Sequence, residues 1–228
     1  MRPCPLFGKA IYLDCLECEE KLCKMDKSNK YKKVVIGIDQ SYKDTGISIV
    51  ADGVLRLIRH VELSKLSSNY ARRSKLSGAL RGALESVIKK ADEVVVICER
   101  IRLRSEGFLN IDYIKSIGAL NAVIVDTAAE FGVKVYSVDT RSWKSQVVGT
   151  SKPMKNKYGV DPKKWPTILH IKELGHLEDV LDAGTRKKKG VMEKDGIKYF
   201  INDNAADSAC IALYGFISEA DQKLEEEH

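Results

Sequence analysis

The sequence predicts an α/β protein: a mixed five-stranded sheet flanked by helices, preceded by a short Cys-rich extension. Three observations carry that expectation. The first third of the chain holds three β-branched runs separated by short polar turns. Two later runs of the same kind, residues 93–98 and 133–138, are each preceded by a long stretch of helically spaced apolar residues. A last periodic segment, residues 204–220, alternates small and apolar side chains as a closely packed helix would.

Residues 34–39 (VVIGID) form the first strand; after a polar turn the run resumes at residues 46–50. Asp52-Gly53 is a strong hairpin signal, so residues 54–63 supply a third strand and the three make an antiparallel meander. Leu76, Leu80, Leu84, Val87 and Ile88 give residues 69–91 the spacing of a helix. EVVVIC at 93–98 is too short and too β-branched for a helix and reads as a fully buried strand. A helix over residues 110–131, a strand over 133–138 and a short helix over 140–148 follow. Alternating β and α after a meander implies parallel inner strands with helices on both faces.

The chain of 228 residues, 44% hydrophobic, suffices for one main domain. We expect residues 1–30 as the extension, 31–220 as the main domain with a basic insertion at about 150–198, and 221–228 as an acidic tail. The insertion is Lys-rich and broken by Pro and Gly, which predicts an irregular, partly mobile stretch. A formal charge of +6, carried by clustered Lys and Arg, favours an anionic partner. No run approaches the roughly 20 apolar residues needed to cross a bilayer, and the N-terminus lacks the basic-then-apolar order of a secretion signal. A soluble, cytoplasmic protein with no membrane partner is expected.

Three acids stand at telling places. Asp39 ends the first strand, Glu99 directly follows the buried run 93–98, and Asp207 lies near the start of the last helix. Two acids at the carboxyl ends of inner strands lie where open α/β sheets bind ligands. Ala205 and Ala206 let the last helix lie close to the sheet, so the three can converge. Such a set suits Mg2+ or Mn2+, hard ions that take few carboxylates and leave room for phosphate oxygens. Two ions roughly 3.5–4 Å apart serve in-line phosphodiester hydrolysis, one activating water and one stabilising the leaving oxygen, with Asp39 bridging both. Each acid alone also fits a plainer job: a turn former, a surface ion pair beside Arg100, or a helix start. Asp203 or Asn204 also reads as the N-cap of the last helix. Their joint occurrence, in this order, favours the metal site.

VVIGIDQSYKDTGISIV, VVVICERIRLR, IDYIKSIGALNAVIV, WKSQVVGTSKPMK and NDNAADSACIAL together resemble, in order, segments of the RuvC-like Holliday junction resolvases, including those carried by bacterial viruses. The resemblance spans residues 34–216 and implies a ribonuclease H-like fold. It also implies a magnesium-dependent endonuclease that cuts four-way or branched DNA as a homodimer, and a viral source would place it in the host cell. Asp39, Glu99 and Asp207 then fall on the family's acids. The fourth ligand is open: Asn204 stands where the family has Asp or His, with Asp203 beside it. Lys144 and Lys155 fall where the family has basic residues near the scissile phosphate.

Candidate DNA contacts are Arg72, Arg73, Lys75 and Arg81 on the first long helix, Arg100, Arg102 and Arg104 after the second acid, and Lys115 on the next helix. Lys152, Lys155, Lys157, Lys163 and Lys164 follow, with Trp143, Tyr158 and Trp165 interleaved, then Lys187, Lys188 and Lys189. Basic side chains release counterions from phosphates, while aromatics stack on unpaired bases or simply fill the core. Cys4, Cys15, Cys18 and Cys23 offer four thiolates to one structural zinc, or remain reduced thiols. Other readings stay open: a flap or RNA-DNA hybrid nuclease, a non-catalytic branched-DNA-binding protein, and an actin-like ATPase. The last lacks its glycine-rich phosphate loops.

Overall fold

The computed structural model describes residues 30–101, 111–150, 152–183, 191–194, 197–218 and 225–226. Cys4, Cys15, Cys18, Cys23, Arg102, Arg104, Lys187, Lys188 and Lys189 lie outside the described residues. Strands β1 (Tyr31–Asp39), β2 (Asp44–Ala51) and β3 (Val54–Glu62) form the meander. Helix α1 (Asn69–Val87), β4 (Ala91–Glu99), α2 (Ile111–Ala129) and β5 (Lys134–Val138) follow. The sheet order is β3-β2-β1-β4-β5, with β1, β4 and β5 parallel. A two-residue strand, β9 (Glu225–Glu226), adds to the β5 edge from the segment expected only as an acidic tail.

Local chemistry sets the boundaries. Asp52 and Gly53 adopt φ of 48° and 79°, as a tight primed hairpin requires. Asp52 also accepts bonds from the Lys32 and Lys33 amides at 3.0 Å, tying the turn to the start of β1. Ser68 caps α1 through the Ala71 amide.

Strand alternation divides the core. Val34, Ile36, Ile38, Val96 and Cys98 point to the face covered by α1 and α2, against Leu76, Leu80, Ile117 and Ile124. Each such fully buried Leu or Ile contributes roughly 1.5–3 kcal/mol. Val35, Val95 and Ile97 point the other way, onto the last helix, α5 (Asp203–Ile217). That helix sits very close: a Cβ on Gly37 would stand 2.3 Å from the Ser208 carbonyl oxygen, and one on Gly46 would stand 2.0 Å from that of Asn204. Ser48 and Ser208 share a buried hydroxyl bond of 2.6 Å across the same seam.

Among the described residues, the basic stretch holds regular elements that its composition did not predict. After α3 (Thr140–Trp143) and a π-helical turn (Lys144–Val148), it holds α4 (Trp165–Glu173), the 3-10 turn Leu177–Val180 and a second sheet. Strands β6 (Leu181–Ala183), β8 (Ile197–Ile201) and β7 (Val191–Lys194) form that sheet, in the order β6-β8-β7. The reason is apolar anchoring: Trp165, Ile168, Ile171 and Val180 are buried beneath α5, while Lys152, Lys155, Lys157, Lys163 and Lys172 are exposed. Trp143 and Trp165, considered as base-stacking platforms, are core residues at 0% and 8% exposure. The N-cap of α5 is Asn202, not Asp203 or Asn204; its side chain accepts from the Ala205 amide at 3.0 Å.

Candidate active site

Asp39 has the parity of Val35 and Gly37, and Glu99 that of Val95 and Ile97, so both acids emerge on the α5 face at the ends of adjacent parallel strands. Asp207 faces them from the second turn of α5 and is 2% exposed. The three acids act on one another electrostatically. Burial pushes the Asp39 carboxyl well above its usual range, and the Asp207 and Glu99 carboxylates push it further. Burial likewise raises Glu99, while a hydrogen bond from Thr140 pulls it part of the way back.

A lysine stands among them. Lys164 Nζ donates to Asp207 Oδ2 at 2.8 Å and lies 3.3 Å from Asp203 Oδ2. Burial would lower its proton affinity, but Asp207, Asp203 and Asp39 more than compensate and hold it above its ordinary value. An open cleft of about 630 Å³ adjoins this group, lined in part by Asp161, Lys164, Ile201 and Asp203.

Two further side chains fix Glu99. The Gln40 amide nitrogen donates to the Glu99 backbone carbonyl, and the Thr140 hydroxyl donates to Glu99 Oε1. Asn204 donates its amide to the Asp44 carbonyl at 2.5 Å, which ties the start of α5 to the turn after Asp39. Asp203, through Lys164, is the member of that pair that stands with the acids.

Among the described residues, no three or more His, Cys, Asp or Glu side chains form a ready-made metal cage. The donors still suit a hard cation. Asp207 Oδ1 is buried without a hydrogen-bond partner, an orphaned anionic oxygen of the kind a divalent ion satisfies. Asp39 and Asp203 supply more oxygen, and the crowded carboxylates favour added positive charge.

The remaining candidates are dispersed. Lys144, half-buried, stacks its ammonium 5.0 Å from the Trp143 ring and acts electrostatically on Glu99. Lys155 is exposed; the lysine bonded to the acids is Lys164, which sequence reasoning placed only in a basic row. Its signal was the Trp165-Pro166 pair directly after it, a helix start that makes Lys164 the N-cap of α4. Arg72 is engaged within the fold, bonded to Leu63 O and the Tyr42 hydroxyl, with its guanidinium 4.2 Å from the Tyr42 ring centre. Lys75 donates to Glu62 O, and Arg81 pairs with Glu130. Arg73, Lys115 and Lys152 are exposed, and Arg100 is half-buried.

The class follows from this frame: a five-stranded mixed sheet, an antiparallel meander leading into parallel strands, and acids at the ends of β1 and β4 define a ribonuclease H-like fold, the fold of RuvC. The similar solved structures include Thermus thermophilus RuvC in complex with a Holliday junction substrate, at 18% identity and a TM-score of 0.56, covering 85% of this chain and 99% of that one. A second Thermus thermophilus RuvC structure matches at 19% identity with a TM-score of 0.51 over the same shares. The yeast mitochondrial Holliday junction resolvase matches at 15% identity and 0.46, over 93% of this chain and 89% of that one. No protein-family model matches the sequence, and no curated protein matches it. No helix among the described residues is long and apolar enough to cross a membrane.

Proposed function

We propose that this protein is a divalent-metal-dependent endonuclease that cuts four-way or branched DNA. The observation that carries the reading is the convergence of Asp39, Glu99 and Asp207 from two strand ends and the last helix, with Asp207 Oδ1 buried and unpartnered. The RuvC fold, seen in Thermus thermophilus with a Holliday junction substrate, supports the choice of substrate.

In this reading Asp39, Glu99, Asp207 and Asp203 hold Mg2+ or Mn2+, and the bound ions supply Lewis-acid stabilisation and a more acidic water for phosphodiester hydrolysis. The chain's own part is orientation. Thr140 and Gln40 fix Glu99, and the close seat of α5 fixes Asp207 against the sheet. Lys164 keeps its proton at any physiological pH and places one fixed positive charge beside the cleft, where a phosphate would enter. Lys144 adds a second charge near Glu99. Exposed Arg73, Lys115 and Lys152 supply sequence-independent phosphate contacts. Ile111 and Tyr113, 62% and 56% exposed at the start of α2, support a homodimer that presents two such sites to two strands.

The test offers wild type and Asp39→Asn a labelled four-way junction, a flap, a duplex and an RNA-DNA hybrid, with Mg2+ or Mn2+. Paired symmetric nicks by the wild type alone are expected. A variant that cuts as well as wild type overturns the site, and preference for the flap or hybrid overturns the substrate.

A further inference from the structure

We propose that Thr140 is a positioning residue for Glu99: its hydroxyl donates to carboxylate oxygen Oε1 and holds the carboxylate in one orientation, which leaves Oε2 as the oxygen a divalent cation would meet. The proposal rests on the metal-nuclease reading above. It starts from chain chemistry. Glutamate has one more rotatable bond than aspartate, so a Glu at a strand end scatters its carboxylate unless something holds it. Asp39 and Asp207 are short and lie on buried backbone; Glu99 is the long member of the set and the half-buried one.

The structure restrains it at both ends. At the backbone, the Gln40 amide nitrogen donates to the Glu99 carbonyl, and the Arg100 amide continues the ladder to Val138 O at 2.8 Å. That carbonyl can only accept, so the Gln40 amide is oriented by it. At the carboxylate, the Thr140 hydroxyl donates to Oε1. An ionised carboxylate carries no proton, so the direction of this bond is fixed too.

Thr140 is itself rigid. It is the first residue of α3, β-branched and therefore restricted at χ1, and the same short helix is pinned by fully buried Trp143. The helix does not need its hydroxyl as a cap, because Asp139 takes that role by accepting from the Arg141 amide at 2.9 Å. The hydroxyl is therefore free to serve Glu99. Thr140 lies two residues beyond the end of β5 and Gln40 one beyond that of β1, so three adjacent parallel strands, β1, β4 and β5, all deliver site residues at or just past their carboxyl ends.

The experiment titrates Mn2+ into the full chain without DNA by calorimetry, for wild type, Thr140→Val and Thr140→Ser, and measures kcat and KM on a four-way junction. Val keeps the branching and loses the hydroxyl; Ser keeps the hydroxyl. Loss of one charge-assisted bond predicts Mn2+ binding weakened about tenfold in Thr140→Val, with kcat lowered and KM for the junction nearly unchanged. Thr140→Ser stays within about threefold of wild type on every measure. Unchanged Mn2+ affinity in Thr140→Val overturns the proposal, as does Thr140→Ser binding as weakly as Thr140→Val. The serine arm stands even where the valine chain melts early. A wild type that takes up no Mn2+ overturns the metal reading itself, an outcome distinct from equal binding by wild type and Thr140→Val.

Discussion

Gly46→Ala couples the packing of α5 to the chemistry of the site. The added methyl would stand 2.0 Å from the Asn204 carbonyl oxygen, 2.6 Å from its carbonyl carbon and 2.8 Å from Ser208 Oγ, where ordinary contact begins at 3.4 Å. Two of those three atoms are backbone, which cannot rotate aside, so the start of α5 must retreat by roughly 1 Å. Overpacking of this kind costs about 1–3 kcal/mol, and a backbone obstacle places this substitution at the upper end. For a chain of this size, that lowers Tm by roughly 6–12 °C. The same retreat moves Asp203 and Asp207 away from Asp39. A displacement of that order at a reacting centre costs about 10²-fold in rate. Thermal melts and single-turnover junction cleavage measure the two effects. Gly78→Ala is the control: a Cβ there meets nothing within 4 Å on the exposed side of α1, so stability rises by about 0.5–1 kcal/mol with cleavage unchanged. A Gly46→Ala protein that melts and cuts like wild type would refute the seating of α5 on β2.

Three further outcomes follow from the site. Asp39 and Glu99 bind protons more tightly folded than unfolded, so their contribution to metal-free stability is full below about pH 4 and is lost as pH rises through the raised folded-state values. Asp39→Asn should therefore melt higher than wild type at neutral pH in chelator, with the gap closing on acidification; a gap constant from pH 5 to 8 contradicts this. Lys164→Met strips the cation from Asp207 Oδ2 and, allowing for the lysine's partial exposure, should cost about 1–3 kcal/mol in chelator, part of it restored by Mg2+ in melting scans. Junction affinity should fall steeply with salt, about 10³-fold between 50 and 200 mM for six phosphate contacts, and Arg73→Ala should reduce the logarithmic slope by about 1 in anisotropy titrations.

The strands and the three acids were legible because β-branched runs and their polar endings are local signals. The alternation that carries Val35 and Gly37 to the α5 face carries Asp39 with them. What was hidden depends on tertiary approach. Lys164 is one lysine in a row of similar ones, and its singular place comes from α4 crossing α5, not from its neighbours in sequence. Thr140 and Gln40 carry no motif, although each lies within two residues of the end of a parallel strand. Asn202, Asp203 and Asn204 are all competent caps, and only the hydrogen bond to Ala205 selects Asn202. Trp143 and Trp165 sit between lysines in the sequence, yet their large apolar surfaces are worth more under α5 than beside a nucleic acid.

The buried hydroxyl bond between Ser48 and Ser208 joins positions 160 residues apart. Few contacts are so expensive to close early, because the loop entropy must be lost before the packing compensates. During synthesis the sheet strands emerge first, carrying Asp39 and Glu99, while Asp207 arrives only with the last helix. A nascent chain therefore holds two carboxylates and no third. Completing this long loop assembles the carboxylate set, so under the proposed nuclease reading folding itself is the step that arms the site.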